Sequence, residues 1–155
     1  MNVREQKLIE DNIHLIEAGK WEEFFKVAYD NVVPGIGKIL YDAEIDFLSY
    51  LDEVPERCFA HTNLDSIIIP KNIVKISSEA FSGCYYLTSV FIPSSVKEID
   101  SFAFSNCIGI TDLSFEGTIE EWENVIFGRQ AFGCVRRRTI KCADGDATLK
   151  LYPRS

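Results

Sequence analysis

Apolar side chains in the first 47 residues recur at steps of three and four positions, which predicts helices. The first predicted helix ends before Gly19, and its apolar face consists of Ile9, Ile13 and Ile16, widened by Leu8 and Leu15. The second has an apolar face of Trp21, Phe24, Phe25, Ala28 and Val32. After Pro34-Gly35, a weaker third pattern runs through Ile36, Ile39, Leu40, Ala43 and Phe47. The first third of the chain is therefore predicted to be helical.

Beyond residue 60 the pattern becomes a repeat with a period of 23 residues. Leu64, Leu87 and Ile110 are spaced 23 positions apart. The same step relates Ile69-Pro70 to Ile92-Pro93, Ile76 to Ile99, Ala80-Phe81 to Ala103-Phe104, and Cys84 to Cys107. Agreement at so many positions over two units indicates an internal repeat, which decides the fold.

Each unit is too short to enclose a core alone. The segment Leu87–Pro93 alternates between apolar and polar residues and predicts a short strand, which proline ends because it cannot donate to the ladder. Val96 to Ile99 predicts a second extended piece, and Ala103 to Cys107 a tight helical turn. Stacking such coils about 4.8 Å apart aligns equivalent apolar side chains in columns, which predicts a solenoid.

The pattern V-x-x-I…A-F-x-x-C-x-x-L-x-x-V-x-I-P resembles the BspA-like leucine-rich repeat. The resemblance runs from Val54 to Asp146, with a partial unit at Val54–Leu64 that is one residue short. Gly117–Val125 is similar to a segment that often follows the last regular coil of the family. Ala131–Cys134 and Thr139–Asp146 resemble its closing coil and terminal hairpin, with Asp144-Gly145 suited to the hairpin turn.

The predicted fold is an α+β repeat in which N-terminal helices cap a short BspA-like leucine-rich-repeat solenoid. We expect a helical cap at residues 1–50 and a solenoid with a C-terminal hairpin cap at 51–155, forming one continuous unit. Leu149 and Leu151 would point inward on the last strand and cover its open end.

Strand alternation also predicts which side chains point outward. If Val90 and Ile92 face the core, Ser89 and Phe91 face outward. The equivalent outward residues of the flanking coils are Ser66 and Ile68, then Asp112 and Ser114, with Lys141 on the last strand and Arg138 near its start. This row would present an apolar end and a basic end to a protein partner. The alternative is that the N-terminal helices bury Ile68 and Phe91.

The candidate chemical groups are few. Cys84 and Cys107 occupy equivalent repeat positions, so they are either small core residues or a disulfide between adjacent coils. Cys58 and His61 lie three apart, which would suit a reactive nucleophile–base pair or half of a metal site, but the chain lacks the further ligands of a zinc site. Asp144-Gly145-Asp146 lacks the other positions of a calcium loop. We therefore expect no metal, no cofactor and no enzymatic activity.

Charge divides the chain into two unlike parts. Residues 1–56 contain five basic and thirteen acidic side chains, so this third carries the whole net charge of −8. The acidic balance argues against direct binding to nucleic acid or to anionic membranes, and Arg136–Arg138 is the one basic cluster. A solvated helical face would explain the acids. A sharper hypothesis is that Glu22, Glu23 and Asp30 contact a basic partner.

These features favour a non-catalytic protein–protein interaction module. The sequence shows no apolar run of about 18 residues and no export signal, so the expected location is the cytoplasm. We expect an inhibitor or adaptor encoded by a phage or another mobile element, acting on a host protein such as a nucleic-acid-binding defence factor. The alternative is a fragment of a bacterial surface adhesin that binds host ligands. Monomer and dimer both remain open.

Overall fold

The computed structural model describes residues 1–149. The protein begins with a layer of short helices. These are α1 (Val3–Asp11), α2 (Ile13–Glu17), α3 (Trp21–Asp30) and α4 (Ile36–Asp42), followed by a 3-10 turn at Leu48–Tyr50. Leu151 was predicted to point inward, but it lies outside the described residues.

The first predicted helix is two helices, α1 and α2. Asn12 leaves the helical conformation, with φ −123° and ψ 21°, and its side-chain amide donates a hydrogen bond to the Leu8 carbonyl at 2.9 Å. A side chain that bonds the backbone in this way competes with helix propagation. The break turns Ile13 outward, where it is 44% exposed, and leaves Leu8 and Leu15 as the buried residues.

The second predicted apolar face is correct except at its end. Helix α3 buries Trp21, Phe24, Phe25 and Ala28. The helix stops at Asp30, and Val32 is exposed with a left-handed φ of 54°, so that Val33 takes the buried position. Helix α4 is also shorter than predicted. Phe47 is fully buried, but it lies beyond α4, where its ring centroid is 5.0 Å from that of Phe25.

The rest of the chain winds into coils that contribute strands to two sheets. The parallel four-stranded sheet contains β1 (Glu53–Val54), β3 (Lys75–Ile76), β5 (Glu98–Ile99) and β7 (Ile126–Phe127). The five-stranded sheet contains β2 (Ser66–Ile68), β4 (Ser89–Ile92), β6 (Asp112–Phe115), β8 (Thr139–Cys142) and β9 (Gly145–Thr148). Ser66 pairs with Ser89, and Ser89 with Asp112, so the strand register reproduces the 23-residue period.

A column of four stacked phenyl rings runs through the coils. The rings belong to Phe59, Phe81, Phe104 and Phe132. Successive centroids are 5.3, 4.9 and 5.1 Å apart, and successive planes differ by 5° or less. These distances match the spacing of hydrogen-bonded strands. Leu64, Leu87 and Ile110 are also buried, as the layered arrangement requires.

Each coil turns at two left-handed residues on either side of its phenylalanine. The first set is Arg57, Glu79, Phe102 and Gln130, and the second is His61, Gly83, Asn106 and Cys134. Between them, the Phe81 N–H donates to the Ala103 carbonyl at 2.7 Å, and the Phe104 N–H to the Ala131 carbonyl at 2.7 Å. The segment predicted as a tight helical turn therefore contributes a third ladder of hydrogen bonds between coils, in addition to the two sheets.

The last coil is longer because it contains a helix. Phe104 and Phe132 are 28 positions apart, and the longer coil contains α5 (Ile119–Glu123). Thr118 and Glu121 form a capping box at its start, and Trp122 is buried with its ring centroid 5.1 Å from that of Phe115. A short helix thus fits into the coil without interrupting the phenyl column.

The C-terminal hairpin is confirmed, but its turn is displaced by one residue. Cys142 pairs with Gly145, so the two turn residues are Ala143 and Asp144 instead of Asp144 and Gly145. The Asp144 carboxylate accepts a hydrogen bond from the Ile119 N–H at 2.8 Å, at the first residue of α5. The hairpin therefore also fixes the inserted helix. Strand β9 runs antiparallel to β8, in contrast to the parallel strands before it.

Replacing Phe104 with alanine should lower the free energy of unfolding by about 3–5 kcal/mol, because a fully buried ring in the middle of the column is lost. Tyr86→Ala is the matched control, since this ring is 69% exposed and its loss should change stability by less than about 0.5 kcal/mol. Urea unfolding followed by circular dichroism measures both. Equal effects of the two substitutions would contradict the role given to the column.

Candidate protein-binding surface

Four side chains form a row across the outer face of the five-stranded sheet. Ile68 pairs with Phe91, Phe91 with Ser114, and Ser114 with Lys141. We call this row the outward ladder. Ile68 is 77% exposed and Phe91 is half-buried, whereas Val90 and Ile92 face the core as predicted. The alternative that the N-terminal helices bury Ile68 is wrong.

A shallow groove of about 240 Å³ adjoins the Ile68 end of the outward ladder. Its lining residues come from the end of α4, the segment after it and the first coil: Tyr41, Glu44, Ile45, Asp46, Phe47, Leu48, Ile68 and Pro70. Sequence reasoning missed this groove because the apolar pattern from Ile36 to Phe47 looked like one helix. The end of α4 at Asp42 instead leaves Tyr41 and Ile45 partly exposed beside Ile68.

The other end of the outward ladder is basic. Lys141 is exposed on β8, and Arg138 is exposed immediately before that strand. Arg137 has a different role, because its guanidinium donates to the Thr111 carbonyl at 2.6 Å and to the Thr139 carbonyl at 2.9 Å. The predicted cluster Arg136–Arg138 is therefore not a uniform exposed patch.

The acidic residues singled out on α3 lie elsewhere. Glu22, Glu23 and Asp30 are all exposed. The Asp30 carboxylate lies 2.8 Å from the Lys26 ammonium, which raises the pKa of Lys26 through this hydrogen bond and the opposite charge. Glu22 lines a groove between α3 and residues 51–56, whereas Ile68 lines the groove beside α4. Of the two predicted sets, Glu22 and Ile68 therefore line separate grooves, whereas Glu23 and Asp30 line neither.

The cysteines behave as packing residues. Cys58, Cys84, Cys107 and Cys142 are buried, Cys134 is exposed, and all five are free thiols. The thiols of Cys84 and Cys107 each donate to a carbonyl of the preceding coil at 3.0 Å. Burial, and then the proximity of Cys84, raises the pKa of the Cys58 thiol. A buried protonated thiol is a poor nucleophile.

The part of the chain that the structure describes brings no three His, Cys, Asp or Glu side chains together in a geometry that could hold a metal ion. Within the same residues, no helix is both long enough and apolar enough to span a bilayer.

The sequence profile of the BspA-type leucine-rich repeat region matches residues 43–133, in six copies. The chain belongs to this family. The match begins eleven residues before Val54, where the resemblance was expected to start, and it ends before the terminal hairpin. The predicted family and fold are confirmed, and the boundary proposed at residue 50 stays a prediction.

Two solved structures are similar to parts of the chain. One is a leucine-rich cell surface protein from Faecalibacterium prausnitzii A2-165, with 37% identity over 48% of this chain and a TM-score of 0.44. The other is a leucine-rich repeat protein from Bacteroides ovatus ATCC 8483, with 22% identity over 59% of this chain and a TM-score of 0.47. The aligned regions are 20% and 25% of those proteins. No curated protein matches the chain.

Leucine-rich repeats of this type are protein-interaction scaffolds, so the coarse expectation of a protein-binding module stands.

In the folded protein, a thiol reagent such as DTNB should rapidly label one cysteine, Cys134, because the other four thiols are buried. All five should react in urea. The absorbance of the released thiolate counts the labelled groups, and Cys134→Ser should abolish the fast phase. Rapid native labelling of Cys58 would contradict its assignment as a core residue and would reopen the question of catalysis.

Proposed function

We propose that the chain binds an extended segment of a partner protein along the outward ladder, with the groove beside Ile68 accepting an apolar side chain. The observation that carries this proposal is the 77% exposure of Ile68 on a paired strand, next to Tyr41 and Ile45. Single exposed apolar side chains are common, but Ile68 belongs to a contiguous exposed cluster with Tyr41 and Ile45, and such clusters mark protein contact sites.

The energetics suit a small contact. Covering an exposed isoleucine side chain contributes about 1.5–3 kcal/mol. The strands beneath Ile68 and Phe91 are fixed by main-chain hydrogen bonds to neighbouring coils, so little conformational freedom is lost on their side of the contact.

Charge gives the proposed contact a direction. The outward ladder changes from Ile68 and Phe91 through Ser114 to Lys141, with Arg138 close to the basic end. A partner segment with apolar side chains at one end and an acidic side chain at the other complements this row, and the charge pair fixes its orientation.

The narrower hypothesis is an inhibitor or adaptor that acts on a host protein, and the acidic N-terminal third favours a basic protein as its target. The cytoplasmic location and the phage or mobile-element source stay predictions, as does the surface-adhesin alternative.

Ile68→Asp should weaken partner binding at least tenfold, because it puts a charge where an apolar side chain docks. Ile126→Asp is the matched control, since Ile126 is 66% exposed on β7 of the other sheet. Dodecapeptides selected from a random display library on the wild-type protein supply the ligands, and isothermal titration calorimetry compares their affinities for the three proteins.

Selected peptides should combine apolar and acidic residues and should bind Ile126→Asp as they bind the wild type. The proposal fails if no peptide is enriched, or if the enriched peptides bind Ile68→Asp with unchanged affinity. Unfolding curves of both variants establish that any loss of affinity occurs in folded protein.

A further inference from the structure

A second groove lies between α3 and the segment of residues 51–56, and it has a different chemistry from the outward ladder. Its volume is about 400 Å³. Helix α3 contributes Glu22 and Tyr29 to its lining, and the facing segment contributes Leu51 and Pro55. We call it the α3–β1 groove. Tyr29 is 45% exposed, so the groove offers an aromatic and aliphatic wall to an incoming side chain.

Carboxylates dominate the charge of this groove. Glu22, Asp52, Glu53 and Glu56 line it, against a single basic residue, Lys26. Lys26 is engaged by Asp30, which lies outside the lining. Within residues 1–149, no basic group lies within ion-pair distance of Glu22, Asp52 or Glu56. Glu53 sits opposite Lys75 on the neighbouring strand, so the uncompensated negative charge above the apolar wall comes from Glu22, Asp52 and Glu56.

We infer that the α3–β1 groove docks a basic segment of a partner protein through a lysine or arginine side chain. The long stem of such a side chain packs against apolar surface while its charged head reaches a carboxylate. The protein's own Arg57 already makes one contact of this type with the Tyr29 ring, since its guanidinium lies 5.3 Å from the ring centroid and pairs with Glu79 at 3.2 Å. An incoming cation would therefore rely on the groove carboxylates and on the ring surface that Arg57 leaves free. An aromatic ring beside carboxylates is a favourable site for a cation.

The geometry favours a peptide over other cationic or macromolecular ligands. No set of three carboxylates in the described residues converges closely enough to hold a metal ion, so the charges are spread along the groove. Nucleic acid is excluded by the sign of the charge. A basic peptide has the required positive charge, and its cations are spaced along an extended chain as the carboxylates are spaced along the groove.

This inference changes the set of acidic residues expected to contact a basic partner, which from the sequence alone are Glu22, Glu23 and Asp30. Glu22 remains in the proposed contact. Asp30 is neutralised by Lys26, and Glu23 is absent from the groove lining. The acids that join Glu22 come from the segment after the helices. The α3–β1 groove is separate from the outward ladder, so the proposal for one surface can fail in experiment while the proposal for the other holds.

The test uses a fluorescein-labelled octapeptide that carries four arginines and two leucines between terminal glycines. We expect the full chain to bind it, as measured by fluorescence anisotropy, with an affinity that falls several-fold between 50 and 200 mM salt. The double variant Glu22→Lys with Glu56→Lys should bind at least tenfold more weakly. Glu17→Lys with Glu123→Lys makes the same change in net charge at exposed sites outside the groove and should lose less than threefold.

Two further variants keep the result interpretable. Glu22→Gln with Glu56→Gln removes charge without adding any, and should weaken binding about threefold or more even if the lysine variant folds poorly. Ile68→Ser, which removes the apolar side chain of the outward ladder without adding a charge, should leave the affinity for the octapeptide unchanged. The inference is overturned if the wild type does not bind, if a peptide with glutamates in place of arginines binds equally well, or if the groove and control double variants lose affinity to the same extent.

Discussion

The stacking of one coil on the next at the spacing of β-strands is the constraint on which the rest of the structure depends. Hydrogen bonds in two sheets and at the phenylalanine turns hold neighbouring coils about 5 Å apart, and the four phenyl rings stack at the same distance. Main-chain and side-chain layers therefore reinforce each other. A phenylalanine can occupy this position only because ring thickness, offset stacking and strand spacing are compatible.

The same constraint creates a need for caps, because each coil is stabilised by its neighbours and the end coils lack one. On the first coil, an aromatic cluster from the helices continues the apolar interior, with Phe47 between Phe25 and Phe59. At the other end, β9 pairs antiparallel to β8, and Ala147 and Leu149 are buried. The core is one continuous cluster that extends from Leu8 to Leu149.

Features that follow from the repeat could be predicted from the sequence, because equivalent residues in stacked coils must satisfy the same packing. The register of the outward ladder and the inward direction of Val90 and Ile92 are examples. The left-handed turns were missed because only one of their eight positions is glycine. The residues found there are mostly types that give no conformational signal in a sequence.

The grooves could not be predicted in this way. The groove beside Ile68 depends on where α4 ends, and the α3–β1 groove depends on how α3 lies against the segment of residues 51–56. Val32 and Ala43 end α3 and α4 through local backbone conformation, which hydrophobic periodicity does not record. The acidic balance of the first third can be counted in the sequence, but Asp52 and Glu56, which line the same groove as Glu22, come from a different segment.

The helix inserted into the last coil shows that the rise from one coil to the next does not depend on the number of residues in the coil. The rise between Phe104 and Phe132 is that of the other coils, although their separation in sequence is five residues longer than the regular repeat. The axial dimension of the array is therefore independent of the perimeter of any one coil. A different segment between β6 and β7 can therefore change the outline and chemistry of the side surface while the phenyl column keeps its order, provided that it still fills the interior space that Trp122 occupies.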